Sequence, residues 1–284
     1  MNAIEAILLG LLQGLTEFLP VSSSGHLAIF QNLFNIGQGS EDLFLFDILL
    51  HLGTLVAIFA AFYKDIFKMI LEGFGIVGDT VGNLIRIIQK KKTKKVIRTG
   101  YRKFVLMILI STIPTGIIGV LLKDIVKAAS ATLIMPGIFL IMTAALLFIA
   151  DRSPEGYSTP RDASYLSAFL IGIGQGIATL PGISRSGTTM SAGILCGYEK
   201  KFALRYSFIM SIPAVLGACV LEISDAQGQE FNPIYLLGML VAAVVGYGAI
   251  KLMLNIVKNK KYVIFSIYCF IMGIVAIVGS FIKK

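Results

Sequence analysis

Six stretches of this sequence are long and apolar enough to cross a membrane. A helix spans the hydrocarbon core of a bilayer with about 20 apolar residues, and backbone groups in lipid must hydrogen-bond within their own segment. The sequence therefore predicts an all-α integral membrane protein. The six predicted spans are 43–63, 103–122, 131–150, 202–222, 233–252 and 262–281.

The composition excludes the soluble classes. Hydrophobic residues make up 56% of the chain and charged residues 14%, whereas soluble domains have about 45–50% and about 25%. The net charge of +9 does not indicate a nucleic-acid partner, because nine basic residues and no acidic one lie from Arg86 to Lys103. Such a run beside apolar spans is typical of a cytoplasmic loop. Residues 66–88 mix Gly with apolar residues and predict a helix lying at the membrane interface.

Two further apolar regions, 3–36 and 165–198, are broken in the middle by proline, glycine and hydroxyl residues. The breaks are Pro20-Val21-Ser22-Ser23-Ser24-Gly25 and Pro181-Gly182-Ile183-Ser184-Arg185-Ser186-Gly187. Each arm of about 15 residues covers about 22 Å, less than a core of about 30 Å. We therefore predict two re-entrant helix hairpins. The alternative is an ordinary span kinked at proline.

The two broken regions resemble each other, which indicates an internal repeat. Gln13-Gly14 aligns with Gln175-Gly176, and Ser22, Ser24 and Gly25 align with Ser184, Ser186 and Gly187. The first repeat covers 1–150 and the second 151–284, each a hairpin followed by three spans. Because three is odd, the second repeat must be inverted relative to the first. In such architectures a midplane site forms where the discontinuous helices meet.

The charges of the loops predict the orientation. If the basic run 86–103 is cytoplasmic, the basic loops at 151–164, 199–205 and 251–261 are cytoplasmic too. The first hairpin then enters from outside and the second from the cytoplasm, and both termini lie outside. We expect a multi-pass protein of the bacterial plasma membrane whose site faces the outer side.

Charged residues inside a membrane are functional candidates, and here they cluster at the breaks. Glu17 and His26 lie in the first hairpin, Arg185 lies in the second, and Asp47 and His51 stand one helical turn apart in the first span. A helix starts after each break, with Ser22 or Ser184 placed to cap it. Two helix N-termini and a guanidinium suit a phosphate-like anion.

The other polar residues at the breaks suggest a reaction on that anion. Ser22, Ser23 and Ser24 are candidate nucleophiles, and His26 could transfer a proton. Glu17 is either a ligand for Mg²⁺ or Ca²⁺ or a general base. The predicted phosphate-binding hydroxyls are those of Ser22, Ser24, Ser184, Ser186, Thr188 and Thr189.

Structural roles are the alternative for each of these residues. Single serines in membrane helices often cap or bond to the backbone. Asp47 and His51 could simply neutralise each other. Gln13 and Gln175 are expected to join the hairpin arms by hydrogen bonds.

The run from Gln13 to His26, with Pro181 to Thr189, resembles the two signature motifs of the BacA/UppP-type undecaprenyl-diphosphate phosphatases of bacteria. The resemblance covers essentially the whole chain. It implies hydrolysis of undecaprenyl diphosphate to undecaprenyl phosphate and phosphate, recycling of the carrier lipid for cell-wall synthesis, and bacitracin resistance. It also implies an acidic residue at Glu17, a nucleophile at Ser23, a histidine at His26 and a phosphate-binding arginine at Arg185. Gln13 stands where the family often has Glu, which leaves any metal role to Glu17.

Two other classes compete with the phosphatase. A lipid transporter or flippase shares inverted repeats and an anion site but needs no nucleophile. A PAP2-type lipid phosphatase is suggested by Ser24-Gly25-His26, yet it needs a second histidine with an aspartate at set spacing, and His51 is the chain's only other histidine. The expected partners are a polyprenyl diphosphate and the membrane, with no nucleic acid. A homodimer is left open.

Overall fold

The computed structural model describes residues 1–34, 43–223, 231–258 and 262–282. These residues form eleven α-helices and no named strand. In chain order the helices are α1 (Ala3–Phe18), α2 (Ser23–Phe34), α3 (Leu43–Ile88), α4 (Gly100–Leu121), α5 (Lys123–Ser130), α6 (Ile134–Arg152), α7 (Tyr165–Ile177), α8 (Arg185–Leu195), α9 (Lys200–Ile223), α10 (Ile234–Lys258) and α11 (Val263–Ile282).

Six helices within the described ranges are long and apolar enough to cross a membrane: α3, α4, α6, α9, α10 and α11. Many of their large apolar side chains point outward, including Phe74, Val244 and Phe281. An apolar exterior of this extent suits lipid rather than water. The predicted all-α membrane fold with six spans is confirmed.

The helices pair in a pattern that repeats when the two halves of the chain are exchanged. Helix α1 packs along α10 and α7 packs along α4, while α3 contacts α10 and α9 contacts α4. The third spans, α6 and α11, pack against each other. This pairing is what we expect if the two halves of the chain are related repeats. The inversion across the bilayer and the boundary between residues 150 and 151 stay predictions.

Small residues bring the hairpin arms close to the spans. Gly10 and Gly14 of α1 lie against α10, where a Cβ on Gly14 would come within 2.9 Å of the Ala242 carbonyl oxygen. Gly172 and Gly176 of α7 lie against α4 at the corresponding positions. Glycines four residues apart permit close helix packing in membranes.

Helix α3 differs from the expectation. The predicted span 43–63 and the predicted interfacial helix 66–88 form one helix that is bent at Phe62, whose φ and ψ are −117° and 22°. No proline stands between the two parts, so nothing in the sequence ends the first helix. The interfacial position of residues 66–88 stays a prediction.

The hairpin arms are short helices that end at the predicted breaks. Helix α1 has 16 residues, α7 has 13 and α8 has 11, which is less than the about 20 residues that a full span needs. The arms of each pair contact one another. Residues 35–36 of the first predicted hairpin lie outside the described residues. A short helix, α5, forms in a segment that we expected to be a loop.

Candidate active site

The two breaks touch each other. A Cβ on Gly25 would lie 2.8 Å from the Cα of Gly182, whose φ of +104° favours glycine. The Ser22 Oγ accepts hydrogen bonds from the backbone N–H of Gly182 (3.1 Å) and of Gly25 (3.2 Å). Ser22 itself has a φ of 70°, a backbone conformation that is uncommon for residues other than glycine and that clusters at functional sites. The Ser22 hydroxyl therefore joins the two breaks, because it accepts one hydrogen bond from each of them.

Each break ends in a capped helix start, as predicted. Ser184 is the N-cap of α8 and accepts from the Gly187 N–H at 3.1 Å. Thr143 of α6 holds the same break: its hydroxyl donates to the Gly182 carbonyl and accepts from the Ser184 N–H, both at 3.0 Å. Nothing in the sequence indicates a role for Thr143, because it lies in the middle of an apolar span.

Glu17 is the centre of the polar contacts between the breaks. Its carboxylate is buried and forms an ion pair with the Arg185 guanidinium through Oε1. The Ser23 hydroxyl donates to Oε2 at 2.6 Å, and the Gln13 amide donates to the same oxygen at 3.1 Å. The Glu17 carboxylate in the first half of the chain is thus neutralised by the Arg185 guanidinium in the second half. The Ser23 hydroxyl contacts the same carboxylate.

His26 does not contact the Ser23 hydroxyl. Its Nδ1 lies 2.8 Å from the Ser22 carbonyl oxygen and its Nε2 lies 2.8 Å from the Tyr268 hydroxyl. Because a carbonyl only accepts, Nδ1 carries the proton and Nε2 accepts from Tyr268. The two rings are stacked with centroids 5.5 Å apart. The Ser23 hydroxyl donates to Glu17 and not to His26, and the transfer of the Ser23 proton to His26 stays a prediction.

Most of the predicted phosphate-binding hydroxyls already have partners. Ser186 donates to the Leu19 carbonyl at 3.2 Å, and Thr189 lies 2.5 Å from the Ser207 hydroxyl. The Ser24 hydroxyl lies 3.5 Å from that of Ser22. Thr188 is buried, and its hydroxyl has no hydrogen-bond partner among the described residues. Of these six hydroxyls, that of Thr188 alone has no hydrogen-bond partner in the described part of the chain.

Helix α9 contributes to the site, which the sequence analysis missed. A cavity of about 10 Å³ is lined by Glu17, Phe18, Arg185, Ser186, Ser207, Phe208 and Ser211. Ser207 and Ser211 stand one helical turn apart in a largely apolar span. This spacing is the sequence feature that could have indicated that α9 contributes to the site. The cavity has room for about one water molecule and is too small for a phosphate group.

The remaining candidates have other roles. His51 bonds through Nδ1 to the Asp47 backbone carbonyl at 2.9 Å, so its hydrogen bond stays within α3. Gln13 reaches Glu17 in its own helix, and Gln175 approaches Thr115 of α4 and Met210 of α9 at 3.4 Å. The expectation that the two glutamines join the hairpin arms is wrong, because their side chains point to other helices and to Glu17.

A divalent cation would find few protein ligands here. No group of three or more His, Cys, Asp or Glu side chains converges in the described part of the chain. Glu17 is the one carboxylate in the cavity lining, and the neighbouring Gln13 Oε1 is buried without a partner among the described residues. These two oxygens fit a Mg²⁺ or Ca²⁺ ion that takes its other ligands from a substrate.

The fold and site together define a polytopic membrane protein with a serine hydroxyl, a carboxylate and a guanidinium in contact at the junction of two broken helix pairs. The family model described as "Bacitracin resistance protein BacA" matches residues 6–275. The chain belongs to this family.

Curated relatives match over nearly the full length. An "Undecaprenyl-diphosphatase" of Methanosphaera stadtmanae is 41% identical over 283 residues, covering 99% of both chains. Proteins with the same name from Desulforapulum autotrophicum (99% of this chain, 100% of the relative) and Alkaliphilus metalliredigens (99% of both) are each 39% identical.

Proposed function

We propose that the protein hydrolyses undecaprenyl diphosphate to undecaprenyl phosphate and inorganic phosphate, and so recycles the carrier lipid for cell-wall synthesis. The observation that carries the proposal is the hydrogen bond from Ser23 to Glu17 beside the Arg185 guanidinium. It joins a nucleophile, a base and an anion binder. A transporter would need only the last of these. The family membership and the names of the relatives support the same reaction, and bacitracin resistance follows from consumption of the diphosphate that bacitracin binds.

The substrate must first separate Glu17 from Arg185. The cavity at this ion pair is far smaller than a phosphate group, so the terminal phosphate takes the place of the carboxylate on the guanidinium. Arginine binds phosphate oxygens through two parallel N–H donors, which makes the exchange favourable. The N-termini of α2 and α8 and the Thr188 hydroxyl add further donors.

Ser23 then attacks the terminal phosphorus. Its Oγ forms a bond to phosphorus while the bond to the bridging oxygen breaks, and undecaprenyl phosphate leaves with that electron pair. The Ser23 proton passes to Glu17 Oε2, the oxygen that it already contacts. Water next attacks the phosphoserine and leaves with the phosphoryl group as dihydrogen phosphate, which keeps both protons of the water. The departing Ser23 oxygen regains the proton from Glu17. Positioning and charge stabilisation dominate such phosphoryl transfer.

His26 acts in this scheme as a positioning residue. Its Nδ1–H fixes the Ser22 carbonyl immediately before the nucleophile, and Tyr268 fixes the other side of its ring. A bound Mg²⁺ or Ca²⁺ would neutralise charge on the diphosphate. Glu17 and the Gln13 Oε1 would hold it. Glu17 as metal ligand and Glu17 as general base remain the two alternatives.

The chain is a multi-pass membrane protein. We propose further that it lies in the plasma membrane with its site open to the outer side, and that the prenyl tail lies between helices. The loop charges support this orientation. A homodimer remains a proposal.

The test is phosphate release from a polyprenyl diphosphate by the purified protein in detergent, with and without EDTA. We expect release by the wild type, and a loss of at least about 100-fold in Ser23→Ala. Ser280→Ala is the matched control, because that hydroxyl bonds only within α11. Absence of release under every metal condition, together with lipid movement in vesicles, would favour the transporter.

A further inference from the structure

A second cavity, which shares no lining residue with the cavity at the breaks, lies where α4 and α7 begin. Its volume is about 370 Å³. Four cations line it, from the basic loop, the start of α4 and the loop before α7: Lys95, Arg98, Lys103 and Arg161. None of the lining residues is acidic. Under the predicted orientation the cavity opens toward the cytoplasmic surface of the membrane.

Part of this positive charge is neutralised within the protein. Arg98 pairs with Asp79 at 2.6 Å, and Arg102, outside the cavity lining, pairs with Glu72 and Asp79. The Lys103 ammonium donates to the Arg161 carbonyl at 2.6 Å and lies 5.7 Å from the centre of the Tyr165 ring.

Two of the cations have no acceptor among the described residues. The Arg161 guanidinium and the Lys95 ammonium make no hydrogen bond or ion pair with any residue that the structure describes. The neighbouring Asp162 carboxylate is held by Thr159, at 2.6 Å from the hydroxyl and 3.3 Å from the N–H. These hydrogen bonds, with weaker effects of Lys103 and Arg161, hold the pKa of Asp162 below its usual range. The cavity therefore keeps an excess of cations over carboxylates.

The local backbone brings Arg161 to the start of α4. A Cβ on Gly100 would lie 3.2 Å from the Arg161 Cγ, so the missing side chain lets the arginine lie against the first turn. Thr99 caps this turn and accepts from the Arg102 N–H at 3.2 Å. The guanidinium is thus held beside the positive end of the helix dipole.

Apolar side chains continue from the cavity along the outer face of α7. Tyr165 lines the cavity, and Leu166, Phe169 and Leu170 that follow it are 66%, 42% and 48% exposed. A ligand with a negative headgroup and an acyl chain matches a basic pocket that is continuous with an apolar helix face. A free phosphate ion uses only the pocket.

We propose that this cavity binds the phosphate group of an anionic membrane lipid, with Lys95 and Arg161 as its principal contacts and α7 beside the acyl chain. Basic pockets between helices on the cytoplasmic side are known to bind such headgroups. The proposal does not depend on the catalytic one, because the two cavities share no lining residue.

The test measures retention of phosphatidylglycerol against phosphatidylcholine by the purified protein in mixed micelles. Near an anionic surface, each juxtamembrane cation increases the binding constant by a factor of about ten or less. We therefore expect the double variant Lys95→Gln/Arg161→Gln to lower the preference for phosphatidylglycerol by about 10- to 30-fold. Lys91→Gln/Lys92→Gln is the matched control, since it removes two charges from the same basic run outside the cavity, and it should keep the preference.

Three results would overturn the proposal. The first is an equal loss in the control variant, which would indicate diffuse attraction by the basic loop. The second is displacement of the lipid by millimolar inorganic phosphate, which would make the free ion the ligand. The third is no preference in the wild type. Thermal unfolding of both variants in detergent checks that they are folded, and phosphate release by both should equal that of the wild type.

Discussion

At the scale of single residues, Glu17 has three partners, which are divided between its two carboxylate oxygens. Arg185 holds Oε1 while Ser23 and Gln13 hold Oε2. In the proposed mechanism, a phosphate displaces the carboxylate from the arginine and leaves the serine contact unchanged. Removing one member of a buried pair leaves the other charge uncompensated. Substitutions at Glu17 and Arg185 are thus expected to affect folding as well as catalysis, and conservative changes are the informative ones.

Arg185→Lys should lower kcat by about 100-fold, because an ammonium keeps the charge but cannot form two parallel N–H contacts with phosphate. The measurement is kcat and KM for phosphate release. Arg152→Lys, which changes an exposed arginine at the end of α6, is the control. Near-normal turnover of Arg185→Lys would remove the arginine from the phosphate site.

Glu17→Gln separates the two roles of the carboxylate. If Glu17 holds a metal ion, activity should be lost at low Mg²⁺ and partly recovered at high Mg²⁺. If it accepts the Ser23 proton, no Mg²⁺ concentration should help, because the amide is not a base. A titration of activity with Mg²⁺ decides between them. Ser23→Ala should fail at every concentration yet still bind the diphosphate, and near-wild-type turnover would exclude Ser23 as the nucleophile.

Tyr268→Phe tests whether His26 positions the Ser22 carbonyl or transfers a proton during the reaction. The phenyl ring keeps the stacking contact and loses only the hydroxyl that donates to Nε2. A positioning role predicts a decrease of kcat of less than about 10-fold, the scale of one hydrogen bond, with an unchanged pH profile. A shift of the pH profile would instead show that the His26 ring exchanges a proton during turnover.

How much of this site can be predicted from the sequence depends on how far apart in the chain the contacting residues are. The caps by Ser22 and Ser184 are local, and residue type and position predict them. The contacts of Thr143 and Tyr268 join helices that are not neighbours in the chain, and a lone hydroxyl in an apolar span does not indicate what it faces. Local contacts could be inferred and long-range partners could not.

At the scale of helices, the residues where a helix ends are easier to predict from the sequence than the residues where one helix continues into the next segment. Proline, glycine and serine clusters mark the ends of α1 and α7. Nothing comparable marks Phe62, and α3 runs on to Ile88. The glycine pairs of α1 and α7 are a periodic signal that the sequence analysis did not use, and they determine how closely α7 approaches α4 and α1 approaches α10.

Gly172→Val should prevent α7 from packing on α4, because the added Cβ would overlap the Ser111 backbone carbonyl. Overpacking of a side chain alone costs about 1–3 kcal/mol, and a clash with backbone exceeds that range. Gly116→Val is the control in α4, since a Cβ there meets no atom within 4 Å. Thermal unfolding in detergent measures both. Equal melting temperatures would mean that the helix contact is not as described.

At the scale of the whole molecule, the predicted membrane crossings of α4 and α6 can be tested by labelling. In a background without native cysteines, single cysteines at Lys92 and Glu155 should react with a membrane-impermeant reagent from one side of the membrane. A cysteine at Lys127 should react from the other, because one span separates it from each. Labelling of all three from one side would rule out the predicted crossing of α4 and α6.

The contacts between the two breaks also bear on the predicted internal repeat. In the aligned breaks Ser23 and Arg185 occupy equivalent positions, although one carries the hydroxyl and the other the cation. A dimer of identical halves would present two serines or two arginines there, and neither set contains a complete phosphate-cleaving pair. The proposed reaction therefore requires the two predicted repeats to differ at this position, so that asymmetry between the halves is a condition of the chemistry.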